Sequence, residues 1–424
     1  DPLPKDLRAF EHHFNVVRRQ MLRVLRSKEV FVGSSVIDDL LFTAIRDSSE
    51  KHPVRKVLDV VRYNGVYKPG VVVYPLHSFG ISGVGFLESL AKERFDLIVP
   101  QAGFAVRAQT NSLSATVDFL QHAAKSLGVQ RRIPIDSLEH YDRITVLKWL
   151  THNPLLVVKV RTFSHEYYEN QAFIVIKLKI ATTAIFMLSS LERGLARKSE
   201  AWTSTASVSN YQTLDIRHYV VMEPRPKSRT GFEARRVPMN VSRTELAELT
   251  AVPVRITRGA WMRKRKFIKR ICSALLKVES NYLKAILNPN NKSAASRVHR
   301  KLFESLAYFR RSFRLTSDPG EIYVNLAVAF EVLLTDSYAK GVEYRIRKRL
   351  KKVLQGVKGS RALNAAARNL YKARSEVVHT GSTSAMVDVP RVRLAFVHAF
   401  VVIVEKIHLI PVTATEPTEA ILGV

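Results

Sequence analysis

The sequence predicts an α+β protein: a mixed α/β region over residues 1–250, followed by an all-α helical bundle over 255–412. Three observations predict it. Short runs of β-branched and aromatic residues between turn signals occur only in the first 250 positions. Beyond Trp261 apolar residues recur at spacings of three and four. And 424 residues suffice for two or three domains with sizeable cores.

In chain order, "FEHHFNVVRRQMLRVLRS" and "SVIDDLLFTAIRDSSE" read as helices. "GVVVYPL", "FDLIVP", "LLVVKVRTF", "FIVIKLKI" and "RHYVVM" read as strands. The most apolar window, Phe173–Leu191, alternates like a strand in its first half, carries Lys177 and Lys179, and reads as buried sheet and helix rather than a membrane span. "EPRPKSRTGFEARRVPMN" (Glu223–Asn240) reads as a linker or long basic loop, with the domain boundary between it and Trp261. Six helices then follow: one from Trp261 to the turn "NPNN", "SAASRVHRKLFESLAYFRRSF", one starting near Pro319, "EYRIRKRLKKVLQ", "LNAAARNLYKARSEVVH" and "RVRLAFVHAFVVIVEKI". Pro319 suits a first helical turn, where its missing N–H is no loss.

The net charge is +30 with a pI near 10.3. Such an excess points to a polyanionic partner, nucleic acid first and an anionic membrane surface second. From Val254 onward there are 32 Lys and Arg against 12 Asp and Glu, so the partner is expected against the C-terminal part. Cys272 is the only cysteine, which excludes an intrachain disulfide and cysteine-rich zinc sites and suits a reducing cytosol. The opening "DPLPKDLRAF" has no apolar signal core, and without Met it implies a few preceding residues; the expected location is cytoplasmic.

One stretch carries chemistry. In "LNAAARNLYKARSEVVHTG", Leu363, Ala366, Leu370, Arg374 and Val377 recur at helical spacing, so Arg374 falls on or beside the apolar stripe. A guanidinium there needs an answering charge. Glu331, embedded in "AVAFEVLLT", supplies one as a structural ion pair. His379 just before Gly381 suggests a second role. An arginine held by packing binds two phosphate oxygens, and an imidazole moves a proton near neutral pH. Five residues turn an ideal helix by about 140°, so the pair meets only if the long side chain and a fraying last turn allow it. RNA brings its own nucleophile, the 2′-hydroxyl, so such a pair needs no metal.

Taken in order, "VNLAVAFEVLL", "RIRKRLKKVL" and "LYKARSEVVHTG" resemble the HEPN superfamily, in particular its ApeA-like branch, over roughly residues 271–410. The hallmark of that superfamily is Arg, four to six residues, then His, and Arg374-SEVV-His379 has four. The resemblance implies a helical bundle that dimerises, joining two Arg/His motifs in one cleft. It further implies a metal-independent endoribonuclease of anti-phage or toxin type, with no cofactor, leaving a 2′,3′-cyclic phosphate. In that reading Arg374 binds the scissile phosphate, His379 is the acid/base group, Glu331 orients Arg374, and Tyr371 and Ser375 support the site. Ser375 stands where the family often has Asn, Asp or His, and Thr380 separates His379 from its glycine. A homodimer and a phage-derived or nucleic-acid trigger, sensed by residues 1–250, are the partners it implies besides RNA.

Two basic helical runs are expected to contact RNA phosphates. The first holds Arg263, Lys264, Arg265, Lys266, Lys269 and Arg270, with Trp261 and Phe267 interleaved. The second holds Arg345, Arg347, Lys348, Arg349, Lys351 and Lys352. Gly80, Gly83 and Gly85 are spaced GxxGxG with no following Walker lysine, which reads as a tight turn rather than a nucleotide loop. The histidines in "SHEYYEN" and "EHYDR" lack HExxH spacing, so no metal site is expected. Two further readings remain open: a non-catalytic RNA-binding or dimerisation module, and an enzyme in the N-terminal region.

Overall fold

The computed structural model describes residues 5–27, 34–63, 68–82, 96–162, 167–194, 216–224, 232–257, 264–287, 293–314, 318–337 and 341–424, apart from a few single positions within these ranges. The fold is α+β. Strands β1 (Lys68–Pro75), β3 (Asp96–Val99), β4 (Phe104–Arg107), β5 (Leu155–Thr162), β6 (His218–Pro224) and β7 (Phe232–Pro238) form one antiparallel sheet in the order β3-β4-β5-β1-β6-β7. A parallel pair, β2 (Gly80–Ser82) with β8 (Arg255–Thr257), stands apart from it.

Period-two alternation makes the sheet two-faced. Val71, Val73, Leu155, Val157, Val220 and Met222 face helices α4 (Leu113–Ser126) and α5 (Ile135–Ile144), with Trp149 of the short α6 (Trp149–His152) fully buried among them. Val72, Tyr74, Leu156, Val158, Tyr219 and Val221 point the other way, against α7 (Tyr167–Arg193). At the N-terminus α1 (Lys5–Ser27), α2 (Ser34–Arg46) and α3 (Pro53–Tyr63) close around a small core of their own, including Leu25, Ile37 and Val61.

After α8 (Arg243–Thr250) come the six helices expected from the sequence: α9 (Arg265–Leu287), α10 (Ala294–Arg311), α11 (Pro319–Leu334), α12 (Val342–Val353), α13 (Ser360–Thr380) and α14 (Val389–Lys406). A short α15 (Pro417–Leu422), not anticipated from the sequence, follows. Asp318 caps α11 by accepting the N–H of Gly320 at 2.7 Å, and Pro319 occupies its first turn.

Two expectations are corrected. "FIVIKLKI" is helical, forming the front of α7, and is buried nearly all round between the sheet and the bundle. A helix with apolar residues on every side has no 3.6-residue polarity pattern, so its β-branched residues imitate a strand. Lys177 and Lys179 reach its edges, where they pair with Glu279 and Glu245. Phe173–Glu192 is the one described helix apolar and long enough to cross a membrane, and 89% of its most apolar window is buried inside the protein. Secondly, the stretch taken for a linker contains β7, paired with β6 from His218↔Pro238 to Pro224↔Phe232. Because α7 packs on the sheet on one side and on the bundle on the other, a single hydrophobic core continues across positions 250–255.

Candidate functional site at the tip of helix α13

Helix α13 begins after Gly359, a left-handed residue at φ 79°, and buries Leu363, Ala366, Ala367, Leu370, Tyr371 and Ala373. It ends at Gly381, φ 76°, whose N–H donates to Val377 O at 2.9 Å. The Thr380 hydroxyl bonds back to Glu376 O at 2.7 Å, and Thr383 Oγ1 donates to the Glu376 carboxylate. The last turn is therefore regular and tied down. Gly320 brings the start of α11 against it: a Cβ there would lie 2.9 Å from Asp318 Oδ1 and 3.0 Å from Val377 Cγ1.

Regularity decides the geometry of the pair. An unfrayed helix keeps Arg374 and His379 about 140° apart, so within one chain the fraying that would bring them together does not occur. Arg374 turns toward α11, where its Nη2 lies 3.9 Å from Glu331 Oε1. Its Nε is buried without a hydrogen-bond partner. His379 and Ser375 are exposed and make no hydrogen bond or ion pair among the described residues.

The Glu331 carboxyl is shifted upward because burial penalises its charge more than the Arg374 guanidinium favours it. Tyr371, expected to support the site, lies on the buried face of α13. Its ring is buried, its hydroxyl donates to Ala327 O at 3.3 Å, and burial, then the Glu331 charge, pushes its ionisation well above the ordinary tyrosine range. It is a neutral strut between α13 and α11.

The basic residues divide into exposed and internal ones. On α9, Lys264, Arg265, Lys266 and Lys269 are exposed, while Arg263 lies outside the described residues. Arg270 is committed, donating two bonds of 2.7 Å to Glu405. On α12, Arg347, Lys348, Lys351 and Lys352 are exposed, with Arg347 3.5 Å from Glu343, and Arg345 is half-buried. Arg349 is a correction. It is 2% exposed and donates to Val424 O at 2.8 Å and Leu334 O at 2.7 Å, and its Nη1 also lies 3.4 Å from Asp336 Oδ2. Every third or fourth position of an amphipathic helix faces inward, and position 349 shares that face with Ile346 and Val353. It fastens α12 to α15 and is unavailable to RNA.

Sequence reading passed over Arg361, Arg368 and Lys372, all exposed on α13. They are isolated in the sequence, so a search for basic runs does not find them. Their spacings of seven and four, followed by seven more to His379, are the signal that places them on one face. Of the glycine cluster only Gly80 is described. It opens β2 and pairs with β8, so it forms part of a strand and not of a phosphate loop, while Gly83 and Gly85 lie outside the described residues. Compared with protein-family models, characterised proteins and solved structures, the chain matches none.

Proposed function

We propose that the protein is a metal-independent endoribonuclease of the HEPN type, with the tip of α13 as its active site. The observation that carries the reading is the state of Arg374: a guanidinium packed into a helix interface, loosely faced by one carboxylate at 3.9 Å, with a buried Nε left open. A guanidinium with donors to spare is suited to a phosphate. His379 on the exposed end of the same helix is the acid/base group. In the reaction the imidazole takes the proton of a ribose 2′-hydroxyl, and that oxygen attacks the adjacent phosphorus. Arg374 stabilises the extra charge on the phosphoryl oxygens. The imidazolium returns that proton to the departing 5′-oxygen, giving a 2′,3′-cyclic phosphate and a 5′-hydroxyl end.

Because the two groups diverge within one chain, a second copy supplies the convergence, as the resemblance implies. Val378, 52% exposed beside His379, and Met386, 91% exposed just past the tip, are apolar residues suited to such a contact. The N-terminal region then senses a trigger or restrains the nuclease, in an anti-phage or toxin role inside the cell. A second reading, a non-catalytic RNA-binding module, is favoured by the same 140° divergence. The test is incubation with total RNA and tRNA in excess EDTA beside His379→Ala. Cyclic-phosphate ends produced by the wild type and lost in the variant establish the nuclease; tight, salt-sensitive binding without cleavage, in the presence of candidate triggers, selects the module.

A further inference from the structure

Helix α13 carries a second, independent arrangement on the face away from Glu331. From Arg361 to His379 is eighteen residues, or five full turns of an ideal helix, which returns to the same side about 27 Å further along. Relative to Arg361, Arg368 is displaced by about 20°, Lys372 by about 20° the other way, and Ser375 by about 40°. All five are exposed. They form a straight line of three cations, a hydroxyl and an imidazole down one helix.

The upper half of this line is one wall of an open cleft of about 970 Å³ between α12 and α13. The opposite wall brings Arg347, Lys348, Lys351 and Lys352, facing Arg361 and Arg368; no carboxylate is among the described lining residues, and the nearby Glu343 pairs only with Arg347 at 3.5 Å among them. Six cations around one concavity repel one another, an arrangement that a merely solvated surface avoids by mixing signs. At the mouth stands Tyr344, 69% exposed. An aromatic ring turned to water at the rim of a cationic groove provides a platform for a base, and bases are free to stack only where the strand is unpaired.

We infer that the α12–α13 cleft is a binding track for single-stranded RNA, in which the six cations follow the phosphates, Tyr344 stacks a base, and the strand runs along Lys372 and Ser375 to His379. The inference rests on the proposed nuclease for what happens at the end of the track, but the track itself is a binding claim. It names the form of the substrate: an unpaired segment several nucleotides long on the cleft side of the tip.

The test uses the full chain and a fluorescent 2′-O-methyl oligonucleotide, which lacks the nucleophile and cannot be cut. Anisotropy titrations over a range of salt give affinity and salt slope. For a single strand each neutralised phosphate contributes roughly −0.7 to the slope, so six give about −4. Arg361→Glu/Arg368→Glu is expected to weaken binding more than tenfold and to flatten the slope by about 1.4. The same charge change at Arg19 and Arg23, exposed on α1, is expected to do much less. Tyr344→Ala is expected to weaken binding of the single strand about 5- to 100-fold and to leave binding of the matching duplex unchanged. Equal losses from the α1 and α13 pairs, or a duplex bound as tightly as the single strand with no effect of Tyr344→Ala, would overturn the inference. Because the probe is inert, loss of cleavage with track binding intact counts against the nuclease alone, and cleavage that survives loss of the track counts against the track alone.

Discussion

Arg374 and Glu331 face each other across α13 and α11 at 3.9 Å, with the guanidinium Nε unpaired, whereas Arg270 grips Glu405 through two bonds of 2.7 Å. The comparison separates two uses of the same pair of residue types. The exposed pair is bidentate and stapled; the half-buried one is loose, although burial makes an unmade bond dearer. Fold stability alone would favour closing the gap, and the open geometry is compatible with the orienting role proposed for Glu331.

That looseness sets the first prediction. Burial shifts the Glu331 carboxyl upward, so protonation favours the folded state. Stability from this group is complete below its unfolded pKa and is lost as pH rises through the folded one. At neutral pH the ionised carboxylate is thus a small liability, which Glu331→Gln removes. The variant is expected to be as stable as the wild type or more so, by about 0.5 kcal/mol, while RNA cleavage falls at least tenfold. Urea unfolding together with cleavage assays checks this; a clear loss of stability would make the pair structural.

Arg374→Ala and His379→Ala are expected to separate differently. His379 is exposed and makes no hydrogen bond or ion pair among the described residues, so its loss should abolish cleavage with folding unaltered. Removing Arg374 leaves Glu331 facing the interface without its cation, so it should also destabilise the fold, by about 1–2 kcal/mol. Thermal unfolding beside single-turnover cleavage distinguishes them. Cleavage that survives both substitutions places the chemistry elsewhere.

Arg349 provides the opposite case. Its guanidinium is buried and holds α12 to the C-terminus through Val424, Leu334 and Asp336. Arg349→Met is expected to lower stability by about 3 kcal/mol, because two buried carbonyls lose their donor and the Asp336 and Glu419 carboxylates each lose a cation. It should leave the salt slope of RNA binding unchanged, which an arginine in contact with phosphate could not do.

The bundle was legible because amphipathic helices announce themselves: Ile322, Leu326, Phe330 and Leu333 repeat at the helical period and pack inward as that period predicts. Glu331 was legible as the partner of Arg374 because both stand among apolar residues in the sequence. Helix α7 was not legible, since a helix buried on all sides erases its own period. Nor was the inward turn of Arg349, which looks like its neighbours in a run of six cations until the register of α12 is known. The line from Arg361 to His379 was hidden for the converse reason, as it exists only along a helix unbroken through Thr380.

One buried and one half-buried histidine predict how the fold responds to acid. His299 on α10 is 4% exposed, and burial first, then Lys277 and Lys284, press its pKa from 6.5 to about 4. His398 on α14 stacks on Phe267 at 4.5 Å, and burial, then Arg270 and Lys264, lower it to about 4 as well. Both rings are neutral in the folded protein, and protonation favours the unfolded chain. Their contribution is complete above the unfolded pKa near 6.5 and is lost as pH falls toward 4. Between pH 7 and 4.5 the protein is expected to lose roughly 5 kcal/mol from these two groups. The carboxyl of Asp336 acts at lower pH, because although burial opposes it, bonds from Thr418 and Glu419 and the Lys301 charge hold it below the ordinary value. His299→Leu with His398→Phe keeps the apolar contacts and the stack, so urea unfolding of that double variant should show a flatter pH dependence across this window. An unchanged slope would move the acid sensitivity to other groups.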